Sequence, residues 1–283
     1  MDATIKKDSS MSVEDMEIKL MLEAIYHKYH YDFRGYSPAS LKRRLSLART
    51  HFQCDSFSQL QDLILKNQTV FPRMIDFMTV QVSELFRDPH YFKSIREHVV
   101  PHLRTYPSLR IWVAGCSAGE ELYSLAILFR EEGLEDRTMF YATDINHEAL
   151  LRAESGVYAL DRMQLFSENY QKSGGKKSLS QYYTAAYGAA TFDKTLRERT
   201  VFSDHSLVTD NVFAEMHFIS CRNVLIYFDR DFQDRAIGLF RNSLIRKGFL
   251  GLGAKESLRF SAHADAFEEF IREERIYQRK SGS

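Results

Sequence analysis

The sequence predicts an α/β fold, a mostly parallel sheet with a small antiparallel β insertion, preceded by an all-helical N-terminal domain. Three observations carry that prediction. From Ser12 to about Val80 the apolar residues recur at helical spacing. From about residue 108 short apolar runs alternate with helical stretches, which is the rhythm of strands joined by crossover helices. Over about 167–203 that rhythm stops, in a stretch holding Tyr182, Tyr183, Tyr187 and Phe192 around Gly188.

The elements follow in order. Residues 1–12 are polar and expected to fray. Ser12 is a candidate N-cap with Asp15 three residues on, and Ile18, Met21, Leu22, Ile25, Tyr26 and Tyr29 then mark one helix face. Ser37 before Pro38 fits a second helix start. That helix carries Leu41, Leu45 and Ala48 on one side and Lys42, Arg43, Arg44, Arg49 and His51 on the other. Two further helices are expected near 56–66 and 69–79. These make a domain over 12–80, followed by a linker and helix over 81–107 and an α/β domain over 108–283. In the α/β domain Leu109–Ala114, Thr138–Thr143, Met216–Ser220 and Phe249–Gly253 read as strands, with Arg275–Arg279 as a final edge strand. Helices are expected over Glu120–Glu132, His147–Ser155 and 230–246. The insertion, about 167–203, begins at the loop Lys172-Ser-Gly-Gly-Lys-Lys177.

Composition narrows the function classes. The chain has 283 residues, 44% hydrophobic and 27% charged, enough to bury a sizeable core. Lys plus Arg and Asp plus Glu number 38 each, so the net charge is zero and a globally basic nucleic-acid binder is disfavoured. Cys54, Cys116 and Cys221 are odd in number and lack CxxC spacing, which indicates neither a disulfide framework nor a cysteine metal site and fits a reducing cytoplasm. No secretory h-region is seen at the N-terminus, and no apolar run approaches the ~20 residues of a membrane span. A monomer is the default expectation.

The most informative local stretch is Arg110-Ile-Trp-Val-Ala-Gly-Cys-Ser-Ala-Gly-Glu-Glu121, a strand that turns through glycines directly into a helix. In a parallel sheet such a turn lies at the carboxyl end of its strand, where ligands bind. Asp144 ends the next strand, where an acid accepts hydrogen bonds from ribose hydroxyls. A tight βα turn with a helix-capping Asp is the bland alternative. The turn is not G-x-G-x-x-G, which disfavours NAD. Gly115, Ser117 and Gly119 do match the G-x-S-x-G nucleophile elbow, and His205, His217 and His263 follow in the chain. That elbow normally comes after several strands, whereas here it follows the first. Two further stretches stand out: Thr79-Val-Gln-Val-Ser-Glu-Leu-Phe-Arg-Asp88, which places Arg87 near the expected site, and Phe218-Ile-Ser-Cys-Arg-Asn-Val-Leu-Ile-Tyr-Phe-Asp229. The latter resembles in placement the (D/N)PP(Y/F) loop of amino-methylating enzymes, without its Pro-Pro.

Together these stretches resemble the CheR family of chemotaxis receptor methyltransferases, over about residues 15–280. Tyr31-Asp-Phe-Arg-Gly-Tyr-Ser-Pro-Ala-Ser-Leu-Lys-Arg-Arg-Leu45 is similar to the family's helical domain. Ser83-Glu-Leu-Phe-Arg-Asp88, Ala114-Gly-Cys-Ser-Ala-Gly-Glu-Glu121, Ala142-Thr-Asp144 and Cys221-Arg-Asn-Val-Leu-Ile-Tyr-Phe228 are similar to its cofactor motifs. The resemblance implies a Rossmann-like methyltransferase sheet binding S-adenosylmethionine (SAM), with S-adenosylhomocysteine (SAH) as product and no metal. It implies contacts from Gln81, Ser83 and Arg87 to the methionine end, and from Ala114, Gly115 and Glu120 in the turn, with Glu120 on the ammonium. Asp144 would hold the ribose, Ser206 and Leu207 would flank the adenine, and Arg222 and Asn223 would border the cofactor. Arg87, Arg222 and Tyr227 are the candidates for orienting the acceptor. The partner implied is the cytoplasmic helical bundle of a methyl-accepting receptor, with Lys42, Arg43, Arg44 and Arg49 as its docking face. Neither nucleic acid nor membrane insertion is expected.

Departures from the family are specific. Gln81 and Ser83 stand where Asn and Thr are usual, keeping hydrogen-bonding capacity, and Ser206 stands where Asn is common. Gly253-Ala-Lys-Glu-Ser257 replaces a more usual His-Ser-Glu pattern. The insertion, which in some members docks a receptor C-terminal peptide, matches poorly, so direct recognition of the bundle is expected instead. The implied reaction transfers a methyl group to a glutamate carboxylate, ionised at neutral pH (reference pKa about 4.3), and needs no general base. The alternatives are methylation of another protein or nucleic-acid acceptor, and a non-catalytic SAM-sensing adaptor.

Overall fold

The computed structural model describes residues 11–282; most of the expected frayed segment, residues 1–10, lies outside them. The chain divides into two compact units, one up to Met78 and one from Thr79.

The first unit holds four helices, α1 (Val13–Tyr29), α2 (Pro38–His51), α3 (Phe57–Lys66) and α4 (Val70–Met78). Each start has a local cause. Ser12 caps α1 by accepting from the Asp15 N–H, and its hydroxyl donates to the Asp15 carboxylate. Ser56 caps α3 in the same way. At α2 the expected Ser37 cap bond is absent; Pro38 at the first helical position sets the entry instead. α1 packs on α3 and α2 on α4. Ile18, Met21, Leu22 and Ile25 meet Phe57, Leu60 and Ile64 in the buried layer, and Tyr29 stacks on Phe71 with ring centroids 3.7 Å apart.

The basic face of α2 differs from its sequence reading. Arg44 is 5% exposed and donates to the carbonyl of Met78 and to Ser40 Oγ, 3.0 Å away. It closes the carboxyl end of α4, where carbonyls lack helical partners. Lys42 pairs with Asp15 at 2.8 Å and Glu14 at 3.3 Å, and Arg49 with Glu14 at 3.3 Å. Of the four residues, Arg43 alone is exposed.

The second unit opens with α5 (Pro89–Ser94), which runs through one π turn into α6 (Val100–Leu103). Its strands and helices then alternate: β1 (Leu109–Ala114), α7 (Glu120–Glu131), β2 (Thr138–Asp144) and α8 (His147–Ser155). β3 (Val157–Ala159), α9 (Met163–Lys172), β4 (Tyr183–Ala186) and β5 (Ala189–Phe192) follow, then β6 (Thr200–Asp204), β7 (Met216–Cys221), α10 (Arg230–Ser243), β8 (Leu244–Leu252), β9 (Phe267–Ile271) and β10 (Ile276–Arg279). The main sheet has the order β6-β2-β1-β7-β8-β10-β9. Its first five strands are mutually parallel, and β10 is antiparallel to both neighbours. β1, β7 and the second half of β8 are nearly continuous buried runs, as expected of parallel strands covered on both faces, whereas β6 is mostly exposed. Trp112, Phe140, Phe218 and Phe249 are among their buried side chains.

Three placements correct the sequence reading. β10 is not an edge strand; it inserts between β8 and β9, and β9, a strand the pattern did not announce, forms the edge. The insertion is a three-stranded antiparallel sheet, β3-β5-β4, that recruits β3 from before residue 167 and excludes β6, which joins the main sheet. Residues 163–172 form α9, a helix not expected from the sequence, with Met163, Phe166 and Tyr170 buried, and the expected loop follows it from Ser173. No helix among the described residues is long and apolar enough to cross a membrane.

Arg44→Ala should destabilise the N-terminal unit by about 2 kcal/mol by leaving a buried carbonyl unpaired. Arg43→Ala on the same helix should stay within about 0.5 kcal/mol. Urea unfolding followed by circular dichroism separates the two.

Candidate active site

The parallel register decides which residues meet. Ala114 pairs with Thr143, Asp144 with Asp204, Val113 with Ser220, and Cys221 with Leu252. The turns after β1, β2, β7 and β8 therefore leave one edge of the sheet together, bringing Gly115–Glu120, Asp144, Arg222–Tyr227 and Gly253 to the same rim. Crevices at the carboxyl ends of parallel strands are where α/β sheets bind ligands.

The turn after β1 is held by its own backbone. The N–H groups of Gly115 and Cys116 both donate to the Thr143 carbonyl, at 2.8 and 2.9 Å. Gly115 has φ +71°, and a Cβ there would lie 2.5 Å from a Val224 methyl. Ser117, at φ +51°, donates its N–H to Asp144 Oδ2 at 2.8 Å and its hydroxyl to Gln81 Oε1 at 2.6 Å. Asp144 also accepts from the Asn146 N–H at 2.9 Å on Oδ1. Burial pushes its pKa up, against the pull of the Asn146 and Ser117 N–H groups. Gln81 Nε2 donates to Thr79 Oγ1, which accepts from Asn146 Nδ2 as well. The segment 79–83 is thereby fastened to the turns after β1 and β2, and Gln81 performs that fastening.

Glu120 begins α7 and is 1% exposed. Its Oε1 accepts from Arg162 Nη1 at 2.9 Å, and Arg162 Nη2 donates to the Ser83 carbonyl. Its Oε2 is buried and has no hydrogen-bond partner among the described residues. A buried carboxylate oxygen with no donor is costly unless something supplies one.

Arg222 departs from its expected role. Its side chain is 1% exposed and donates to Asp88 Oδ2 at 2.6 Å, Glu121 Oε2 at 3.1 Å and the Arg87 carbonyl at 3.0 Å. The guanidinium also lies 4.1 Å from the centre of the Tyr91 ring. Burial works against its charge, but Glu121, Tyr91 and Asp88 outweigh burial and raise its pKa. A guanidinium committed in this way is a clamp between the β7 turn and the 87–88 corner, not a free cation for an acceptor. Arg87 is partly exposed, and its Nη1 donates back to the Val82 carbonyl at 3.4 Å.

The remaining expected residues lie on the same rim or beside it. Ala114 ends β1, and Asn223, at φ +60°, and Tyr227 belong to the turn after β7. Ser206 follows β6; its hydroxyl accepts from the N–H groups of Val208 and Thr209, and Leu207 beside it is buried. Glu121 and Arg162 contact expected site residues and were given no role from the sequence, because each is recognised only through a partner distant in sequence.

The elbow reading fails on geometry. Ser117 donates to Gln81, while His217 accepts from the Arg110 N–H, His205 packs on Trp112 and His263 lies 3.9 Å from Asp234. Burial pushes the Cys116 and Cys221 thiols well above their usual range, so neither is an activated nucleophile.

Comparison with known proteins decides the family. The model of the CheR methyltransferase SAM-binding domain matches residues 81–275, and that of the CheR methyltransferase all-alpha domain matches residues 16–79. The chain belongs to the CheR methyltransferase family. It is 53% identical, over 94% of its length and 97% of the relative's, to a putative methyltransferase, Cher3, of Pseudomonas putida. It is 26% identical to a chemotaxis protein methyltransferase of Salmonella typhimurium over 93% of this chain and 88% of that one. A chemotaxis protein methyltransferase of Listeria innocua is 29% identical over 80% and 84%.

As a CheR methyltransferase the chain carries a SAM-binding domain, and SAM is its methyl donor. The residues fit that molecule. Glu120 Oε2 is a buried carboxylate oxygen with no donor among the described residues, as an ammonium group requires. Gly115, at φ +71°, keeps the turn clear of a side chain. Asp144 offers a carboxylate at the end of β2.

Removing the clamp should cost stability without loss of a contact to the reacting groups. Arg222→Met strands Glu121 and is expected to lower unfolding free energy by about 3 kcal/mol, with Arg222→Lys recovering only part, because an ammonium cannot bridge three acceptors as a planar fork does. Chemical denaturation monitored by tyrosine and tryptophan fluorescence reads both.

Proposed function

We propose that this protein transfers the methyl group of SAM to glutamate side chains of a chemoreceptor's cytoplasmic helical bundle, forming glutamate methyl esters for sensory adaptation. The observation that carries the reading is the buried, half-partnered Glu120 on the same sheet edge as Asp144 and the Asn223–Tyr227 turn, in a chain of the CheR family.

SAM, when bound, supplies a methyl group on an already activated sulfonium. Glu120 Oε2 would accept from the ammonium, with Arg162 fixing the carboxylate through Oε1. Asp144 would accept from the ribose hydroxyls, and Ala114 and Gly115 would pass close by as backbone. Gln81 would act by holding the 79–83 segment against the βα turn, with Ser83 on that segment and Arg87 just after it beside the methionine end. Ser206 and Leu207 would border the adenine. Asn223 would line the cofactor, and Tyr227 would orient the acceptor. Arg222 would serve this site as a clamp.

The acceptor needs no base, because a glutamate is ionised at neutral pH. The protein's contribution is alignment of carboxylate oxygen, methyl carbon and sulfur, together with exclusion of water. A cytoplasmic location is part of this proposal, since that is where the bundle lies.

Docking is assigned to the basic face of α2 without Arg44, whose side chain is buried. Arg43 is the exposed cation of that face, flanked by Lys42 and Arg49 in their pairs with α1. Acidic receptor surfaces would be attracted there in a salt-dependent way.

The deciding experiment is transfer of labelled methyl from SAM to receptor cytoplasmic fragments, followed by mild base. Release of the label as methanol supports a carboxyl ester, and base-stable label moves the acceptor to an amide or amine. Absence of transfer despite measurable SAH binding would favour a sensing role. In calorimetry, Glu120→Gln should weaken SAH binding by about 10- to 100-fold, the loss of one charge-assisted hydrogen bond.

Arg43→Glu should lower kcat/KM for the receptor several-fold, more at low salt, while calorimetric SAH affinity stays constant. Loss of SAH affinity would remove the docking assignment.

A further inference from the structure

The carboxylate of Glu256 has no role in the reading above, yet the turn that carries Asn223 and Tyr227 is built around it. It is 4% exposed and lies in the short loop after β8, within Gly253-Ala-Lys-Glu-Ser257. Its Oε2 accepts from the N–H of Gly253 at 2.6 Å and from the N–H of Asn223 at 3.0 Å, and Oε1 accepts from the N–H of Ile226 at 3.3 Å. The Leu225 N–H also acts on it. A carboxylate accepting from several backbone N–H groups is fixed in position, and it fixes them in return.

The turn needs such an anchor. Asn223 sits at φ +60°, outside the region most residues prefer. A single 3₁₀ turn, Leu225–Tyr227, comes next, and a turn of this length leaves its first N–H groups without helical partners. Glu256 supplies the missing acceptors from the neighbouring strand's loop. Space is restricted on the same side: a Cβ at position 253 would lie 2.8 Å from the Asn223 nitrogen and 2.8 Å from Glu256 Oε2. Gly253 and Glu256 thus form one seat, in which the glycine allows the approach and the carboxylate holds it.

We infer that Glu256 is a positioning residue for methyl transfer, setting the backbone of Asn223–Ile226 so that Tyr227 is presented at the rim of the site. The inference rests on the proposed placement of Tyr227 beside the acceptor. Glu256 itself touches neither substrate nor cofactor. Its action is to hold the turn in register with the turns after β1 and β2, where misplacement of a reacting geometry by about 1 Å costs about 100-fold in rate.

The test compares Glu256→Gln, Tyr227→Phe and the double variant by methyl transfer to receptor fragments, with SAH affinity measured in parallel. Glutamine keeps the shape but turns an N–H2 group toward N–H donors. The expected result is a fall in kcat of about 100-fold with a much smaller change in SAH affinity, and little further loss when Glu256→Gln is added to Tyr227→Phe. Additive losses, or equal falls in kcat and SAH affinity, would overturn the inference. An inert Tyr227→Phe would instead refute the placement of Tyr227, on which the inference depends. Gly253→Ala provides a second route if the glutamine variant does not fold, since it crowds the same seat without a change of charge, and the same non-additivity is expected. Amide hydrogen exchange reads the seat independently of turnover. Asn223 and Ile226 should be protected in the native protein and exchange faster in either variant, and their rapid exchange in the native protein would overturn the inference.

Discussion

The carboxyl-end alignment of five parallel strands is the constraint on which the rest of the second unit depends. Once Ala114 pairs with Thr143 and Asp144 with Asp204, the turn after β1 and the acid ending β2 are adjacent, whatever the later strands do. A one-residue slip would exchange which side chains of a strand meet each helix layer and would move its last residue out of line with the rim. Trp112, whose indole N–H donates to Thr143 Oγ1 at 2.8 Å, adds a side-chain bond across the same strand pair. Stability and site geometry therefore share one cause.

Around that rim the structure uses buried charged side chains to tie segments distant in sequence. Arg222 joins the β7 turn to Asp88 and Glu121. Arg162 joins the segment after β3 to Glu120 and to the Ser83 carbonyl. Glu256 joins the loop after β8 to the turn after β7. Breaking any one leaves a charge in a poorly solvated place, which gives such contacts specificity beyond their modest net worth. Farther from the site, Glu131 at the end of α7 accepts from Arg96, Tyr170 and Tyr182, so the helix that begins with Glu120 is also fixed at its far end.

Legibility in the sequence was local. The Leu109–Ala114 strand, the glycine turn and the Glu120 helix follow from hydrophobic period and turn chemistry within a dozen residues, and the His147–Ser155 helix has its Asn146 cap and Gly156 terminus beside it. The misses were pairings. The exclusion of β6 from the small sheet depends on β2, some sixty positions earlier, and the burial of Arg44 depends on the end of α4. The clamp role of Arg222, a candidate for orienting the acceptor, is not legible because Asp88 and Glu121 lie more than a hundred residues away. Glu256 sat in a motif noticed for what it lacked, when the residue it kept was the one making contacts.

The distribution of charge also bears on how an anionic acceptor could be handled. A free guanidinium at the rim would bind a carboxylate tightly and hold it in the ground state, where its stabilisation would slow displacement. Arg222 is withdrawn from that role by two carboxylates and a carbonyl. Asp144 and Glu256 are each held by backbone N–H groups. Glu120 Oε2 is a buried carboxylate oxygen without a donor among the described residues, and a carboxylate suits the ammonium end of the methyl donor rather than an anionic acceptor. On the proposed reading, such a site would grip the donor and leave an anionic acceptor weakly held, so that binding energy would have to come from the substrate's surface elsewhere and not from the reacting carboxylate.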